Sequence, residues 1–207
     1  TEVSATATYA KSFLVYYGDV ANEVGTPLAI GAKLTAHTYP ATGGPFTLKV
    51  EALSGGAAKT TYTKTLFGFP IYFETATVDY FFGTFGDVVF STADNPSKTG
   101  LNTSNKVGKY QKPNGAPSWS GTYSPLNIPI NFAYGKKIKV WAFNPDPANI
   151  GKSLNVELEW AIGTSTSNPW GAILRVPFTK SGEWEELVFD FSGNAAIPAT
   201  AKFTQLV

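Results

Sequence analysis

Leu154-Asn-Val-Glu-Leu-Glu-Trp160 sets apolar side chains on alternate positions with polar ones between them. Successive side chains of a strand point to opposite faces, so this run buries one face and turns the other to solvent. Phe46-Thr-Leu-Lys-Val-Glu-Ala-Leu53 and Lys59-Thr-Thr-Tyr-Thr-Lys-Thr65 keep the same period. Between such runs stand turn formers, Thr42-Gly-Gly-Pro45, Ser54-Gly-Gly56, Pro113-Asn-Gly115 and Asn144-Pro-Asp-Pro147, at the spacing a sandwich of short strands needs. No segment sustains a helical period over three turns, so the reading is all-β.

The chain has 207 residues, enough for one large β-sandwich or two small domains. Sixteen Lys+Arg against fifteen Asp+Glu leave a formal charge of +1, and no segment concentrates the basic residues. Nucleic acid is thereby excluded as a partner, because phosphate binding needs clustered cations. There is no cysteine, which removes disulfides, thiolate metal sites and a cysteine nucleophile. The single histidine, His37, has no acidic or thiol neighbour in sequence and reads as a packed or solvated strand residue. No stretch approaches the roughly 20 apolar residues of a membrane span. The missing methionine, at position 1 included, leads to the expectation of a piece of a longer precursor. Ala5-Thr-Ala-Thr-Tyr9 matches Ala199-Thr-Ala-Lys-Phe203 loosely, which suggests equivalent strands and a second domain cut short, with an open edge at Val207. Leu66-Phe-Gly-Phe-Pro70 marks the boundary between a domain over 1–65 and a second over 66–207.

From Phe69 onward a series of motifs follows in order: Pro70-Ile-Tyr-Phe-Glu74, Phe85-Gly-Asp87, Asp94-Asn-Pro96, Asn102-Thr-Ser-Asn-Lys-Val107, Ser118-Trp-Ser-Gly121, Ile128-Pro-Ile-Asn-Phe132 and Gly182-Glu-Trp-Glu-Glu-Leu-Val-Phe-Asp-Phe191. This order resembles the jelly-roll carbohydrate-binding modules of surface glycan-binding proteins and laminarinase-type enzymes in Bacteroidetes polysaccharide-utilisation systems. An immunoglobulin-like or PKD-like domain often precedes that module. The resemblance therefore implies an immunoglobulin-like β-sandwich followed by a β-jelly-roll sandwich, placed outside the cell or on its surface. It implies non-catalytic binding of polysaccharide, a β-glucan such as laminarin first among them, and linkage in the parent protein to an outer-membrane glycan-uptake system or a glycoside hydrolase. It requires no cofactor. It also implies a structural calcium, for which Glu74, Asp87, Asp94 and Asp190 are the oxygen donors. The loop Gly163-Thr-Ser-Thr-Ser-Asn-Pro-Trp-Gly171 is longer than the family pattern.

Sugars offer apolar C–H faces and a rim of hydroxyls, so a binding site needs exposed aromatic rings beside hydrogen-bonding side chains. Alternation assigns Trp160 to the core with Leu154, Val156, Leu158 and Ile162, and the place of Trp184 ahead of Leu187 and Phe189 in the last motif of the series implies core or turn packing rather than ligand contact. On Lys136-Lys-Ile-Lys-Val-Trp-Ala-Phe143 it turns Lys139 and Trp141 away from Ile138, Val140 and Ala142. Were the two strands adjacent, Lys139 and Trp141 would share one patch with Glu157 and Glu159; a solvated sheet face with a partly covered Trp141 is the equal alternative. Trp170, in a loop of small polar residues, is the foremost ligand contact. Trp119 follows it, with a core tryptophan at a strand start as the alternative, and Tyr110 on the preceding strand either lines the same groove or packs across strands.

Glu157 and Glu159 also frame the enzymatic alternative, since residues two apart on a strand stand roughly 6.5 to 7 Å apart, near the carboxylate spacing of glycosidases. Leu158 occupies the position where sandwich β-glucanases carry an Asp, so the pair has no supporting acid and the chain reads as a binder. A structural stalk or adhesin is the third reading; it would bury its tryptophans, whereas a glycan binder displays them.

Overall fold

Val, Ile, Thr, Phe and Tyr fill the alternating runs, and such side chains suit a pleated surface with one buried face. In the computed structural model they form strands throughout. The structure describes residues 3–34, 37, 39, 46–66, 69–76, 78–162 and 165–207, with backbone alone at 161, 162 and 165. The predicted turn at 42–45 and the side chain of Ile162 lie outside the described residues. The strand pairs are antiparallel, and no α-helix occurs among the described residues. The all-β reading holds. No helix among the described residues is long and apolar enough to cross a membrane. The chain divides into two compact units, Thr1–Ile71 with Thr77–Asp79, and Tyr72–Ala76 with Tyr80–Val207.

The first unit is built on β1 (Ser12–Tyr16), β2 (Thr26–Ala29), β3 (Phe46–Leu53) and β4 (Lys59–Leu66), in the order β2-β1-β3-β4. Cross-strand neighbours Phe13 and Leu28, then Val15 and Val50, bury one face. The core fades at the sheet edge: Tyr62 stands opposite Val50 on β4 yet is exposed. His37 stacks on Tyr17, centroids 3.6 Å apart, and its Nε2 lies 2.9 Å from Asp19 Oδ2. It is a packed residue. The Tyr39 hydroxyl donates to the Tyr17 carbonyl and its ring stacks on Phe46.

The second unit holds β5 (Gly83–Phe85), β6 (Val89–Asp94), β7 (Lys106–Gln111), β8 (Gly121–Asn131), β9 (Lys137–Phe143), β10 (Ser153–Ile162), β11 (Ser165–Ser167), β12 (Ile173–Pro177), β13 (Trp184–Asp190) and β14 (Lys202–Leu206). One sheet runs β11-β10-β14-β8-β5, and β12 also pairs with β10. β6 pairs with β7, and β9 with β13, as two-stranded ladders. Because β14 lies between β10 and β8, and Val207 exchanges two backbone hydrogen bonds with Glu157, the open edge expected at Val207 is not there. Short 3-10 turns follow β8 and β13 and lie within the β9–β10 connection; Asn131, Asp190 and Asp146 cap them by accepting a backbone N–H. Phe189, Phe191 and Phe203 are fully buried, each contributing on the order of 2–3 kcal/mol of apolar burial. At one end of β13, Trp184 Nε1 donates to the Ser97 carbonyl at 2.8 Å and to Asn95 Oδ1 at 3.2 Å. Asn95 Nδ2 in turn donates to the carbonyls of Asn102 and Ser104. The expectation that Trp184 packs inside is correct.

Candidate functional site

Gly83-Thr-Phe85 and Gly121-Thr-Tyr123 are the same pattern, glycine, threonine, aromatic, and they pair antiparallel as β5 and the start of β8. The register sets Gly83 opposite Tyr123 and Phe85 opposite Gly121, so each ring has a glycine across from it. Each ring lies down over that glycine. A Cβ on Gly121 would sit 2.7 Å from Phe85 Cζ, and one on Gly83 would collide with the Tyr123 ring. The sheet edge thus carries aromatic rings lying across its rungs, where larger residues would lift them off.

Trp119 extends this surface. Its ring is 6.4 Å from that of Phe85 and only 8° from parallel, and the residue is 67% exposed. Gly86, at φ 69°, permits the approach, since a Cβ there would meet Trp119 Cζ3 at 2.8 Å. Pro117-Ser-Trp-Ser120 is fastened from its flanks: Tyr110 on β7 donates its hydroxyl to the Ser120 carbonyl at 3.3 Å, Lys112 Nζ donates to the Ser118 carbonyl at 3.3 Å, and Ser120 Oγ donates to the Pro117 carbonyl. Burial raises the Tyr110 hydroxyl above its ordinary pKa, which keeps it a neutral donor. Beyond Tyr123 the exposed Phe81 packs edge-on, 6.0 Å away at 74°. Trp119 and Tyr110 are the two residues of this surface that the sequence analysis names. Phe85, Tyr123 and Phe81 were missed, and the repeated Gly-Thr-aromatic pattern is the signal that would have found them.

The other sequence-predicted residues lie elsewhere. Trp141 is displayed as alternation requires, at 48% exposure, but β9 pairs with β13 and β10 with β11, β12 and β14. The carboxylate beside Trp141 and Lys139 is therefore Glu186, and the patch drawn through Glu157 and Glu159 does not form by strand pairing. Glu157 accepts from Asn168 Nδ2 at 2.9 Å, and Glu159 from Gln205 Nε2 at 2.6 Å. Trp170 is half-buried, because the Asn168–Ala172 stretch between β11 and β12 lays its ring edge-on against Phe203, 5.4 Å away at 90°. Trp160, read as core, is 44% exposed, although it shares its strand face with the buried Val156 and Leu158.

The four proposed calcium donors have other partners or stand apart. Glu74 accepts the Lys106 amide and Asn105 Nδ2, Asp94 pairs with Lys106 Nζ at 2.7 Å, and Asp190 pairs with Lys137 at 3.0 Å while capping a 3-10 turn. Asp87 is an exposed turn residue at φ 65°. No group of three or more His, Cys, Asp or Glu able to hold a metal ion occurs among the described residues, so this donor set does not fit a calcium centre. Comparison with protein-family models, with curated proteins and with solved structures yields no match.

Proposed function

We propose that the chain is a non-catalytic module that binds extracellular polysaccharide, with β-glucans such as laminarin as the first ligand class, on the aromatic surface formed by Trp119, Phe85 and Tyr123. The observation that carries this reading is the Trp119 ring, 67% exposed and held parallel to Phe85. A large apolar ring left in water at a fixed orientation is unfavourable unless a partner covers it, and the C–H face of a pyranose is such a partner. Beside Trp119 the exposed Ser118 hydroxyl and the Lys112 ammonium, which also donates to the Ser118 carbonyl, offer hydrogen bonds to sugar hydroxyls. The order of motifs resembling Bacteroidetes carbohydrate-binding modules supports the same ligand class. Affinity is modest per site, because an open polar surface exchanges bound water for hydroxyls at little net gain.

Affinity electrophoresis against laminarin, mixed-linkage glucan, xylan, mannan and alginate tests the reading, with wild type beside Trp119→Ala and Trp170→Ala. Retardation by one glucan class, weakened in Trp119→Ala and kept in Trp170→Ala, is the expected result. Loss in Trp170→Ala alone would move the site to the Asn168–Ala172 stretch, and no retardation by any polysaccharide would favour a structural stalk.

A further inference from the structure

The ladder of β9 and β13 has one buried and one solvent face. Ile138, Ala142, Leu187 and Phe189 point inward. The outward rungs pair Lys137 with Asp190, Lys139 with Val188, Trp141 with Glu186 and Phe143 with Trp184. The last rung is covered, since Trp184 is buried and bonded to Asn95 and Ser97. The middle two rungs are open: Trp141 is 48% and Val188 39% exposed.

Trp141 is also held in orientation. Its Nε1 donates to Glu186 Oε2 at 3.3 Å, while Lys139 Nζ grips Oε1 of the same carboxylate at 2.9 Å. A ring fixed this way keeps one face toward solvent and loses little rotamer freedom when a ligand covers it. Val188 is its diagonal neighbour across the ladder, within reach of an aromatic side chain, and extends the apolar strip. Each Glu186 oxygen retains a second lone pair for a hydroxyl, and Lys139 retains donors. The Lys139 hydrogen bond, followed by that of Trp141, holds the Glu186 carboxyl below its usual pKa, so it remains an acceptor near neutral pH.

Charge selects among ligands. The two ammonium groups of this face, Lys137 and Lys139, are each matched by a carboxylate, Asp190 and Glu186. A sulfated or uronic polymer gains no net attraction here, and a neutral sugar loses none.

We infer that Trp141, Val188, Glu186 and Lys139 form a second subsite, for a neutral hexopyranose, separate from the Trp119 surface. The inference rests on the glycan-binding reading above. Two subsites on one chain raise the local concentration of a polymer's second segment, so a long polysaccharide is held more tightly than either subsite alone can hold it. A short oligosaccharide gains nothing from the pair.

The test follows indole N–H signals by NMR while Trp119→Ala is titrated with a trisaccharide of whichever glucan retards wild type. Trp141→Phe assigns the signal. A saturable shift of the Trp141 indole, with retardation by polymer reduced about tenfold in either single Trp→Ala variant and abolished in the double variant, is expected. Retained binding in Trp141→Tyr, which keeps an aromatic face, would separate stacking from a general role in stability. An unmoved Trp141 signal with retardation lost in Trp119→Ala alone overturns the second subsite and leaves the first. Wild type retarded by no polysaccharide overturns both. A sedimentation coefficient that depends on concentration in wild type but not in Trp141→Ala would mean a second copy covers this face, and overturns the inference as well.

Discussion

Gly121 has no side chain where the Phe85 ring lies, and that vacancy is what lets the ring rest on the sheet instead of standing off it. Alanine there would place its Cβ 2.7 Å from Phe85 Cζ, so the ring has to tilt away, and Trp119, parallel to it, loses its neighbour. The obstructing atom is the tip of a side chain that can swing toward solvent. The cost in stability is therefore small, roughly 1 kcal/mol, at the low end of overpacking penalties. The cost in binding is larger, because the flat surface itself is lost. Gly121→Ala should accordingly lower glycan retardation severalfold while its urea midpoint moves little. Gly193→Ala, where a Cβ meets nothing within 4 Å, should change neither. Unaltered retardation in Gly121→Ala would remove Phe85 from the binding surface.

Strand β13 shows how an element is pinned at both ends. Trp184 ties its start to Asn95 and Ser97, and Asp190 ties its end by accepting the Ser192 amide at 3.0 Å and pairing with Lys137. Those partners, Ser192 first and Lys137 after it, depress the Asp190 carboxyl to about 2. Its unfolded value is about 3.9. The folded pKa is the lower one, so the contribution of Asp190 is fully present above the unfolded value and is lost as pH falls through the folded value. Asp190→Asn should therefore melt below wild type at about pH 6, and the gap should close between about pH 4 and pH 2; a gap constant with pH would mean that the carboxylate charge is idle. This strand also shows what the sequence discloses. Alternation correctly turned Val156 and Leu158 inward on β10 and Trp141 outward on β9, because period two is a local property. It failed at Trp160 and for the Trp141–Glu157–Glu159 patch, because what covers a strand face and which strand lies alongside are set by contacts distant in sequence. Trp170 is less exposed than its loop suggests for a related reason: small polar residues around it say nothing of Phe203 against its ring. Several members of the motif series touch. Asp94-Asn-Pro96 and Asn102-Thr-Ser-Asn-Lys-Val107 meet Trp184 or each other, and Phe85-Gly-Asp87 meets Ser118-Trp-Ser-Gly121.

Across the whole molecule the charges nearly cancel, sixteen Lys+Arg against fifteen Asp+Glu, and many cancel locally. Glu51 is gripped by Lys49 and Lys59, Asp94 by Lys106, Asp190 by Lys137, Glu186 by Lys139 and Glu183 by Lys180. Paired charges of this kind project little field beyond the Debye length of about 8 Å at physiological salt. Long-range steering of a polyanion is therefore weak, and whatever the molecule holds must be held by contact. Aromatic stacking and hydroxyl hydrogen bonds to a neutral polymer release no condensed counterions, whereas each phosphate, sulfate or carboxylate neutralised by a lysine does. Retardation by the cognate glucan should then change less than about twofold between roughly 50 and 500 mM NaCl. Electrophoresis repeated at the two salt concentrations, or calorimetry with the same polymer, measures it. A steep loss of binding with salt would mean that ligand charges are being neutralised, and the site would have to be sought among unmatched cations such as Lys109, which β7 exposes, rather than on the rings of Trp119 and Phe85.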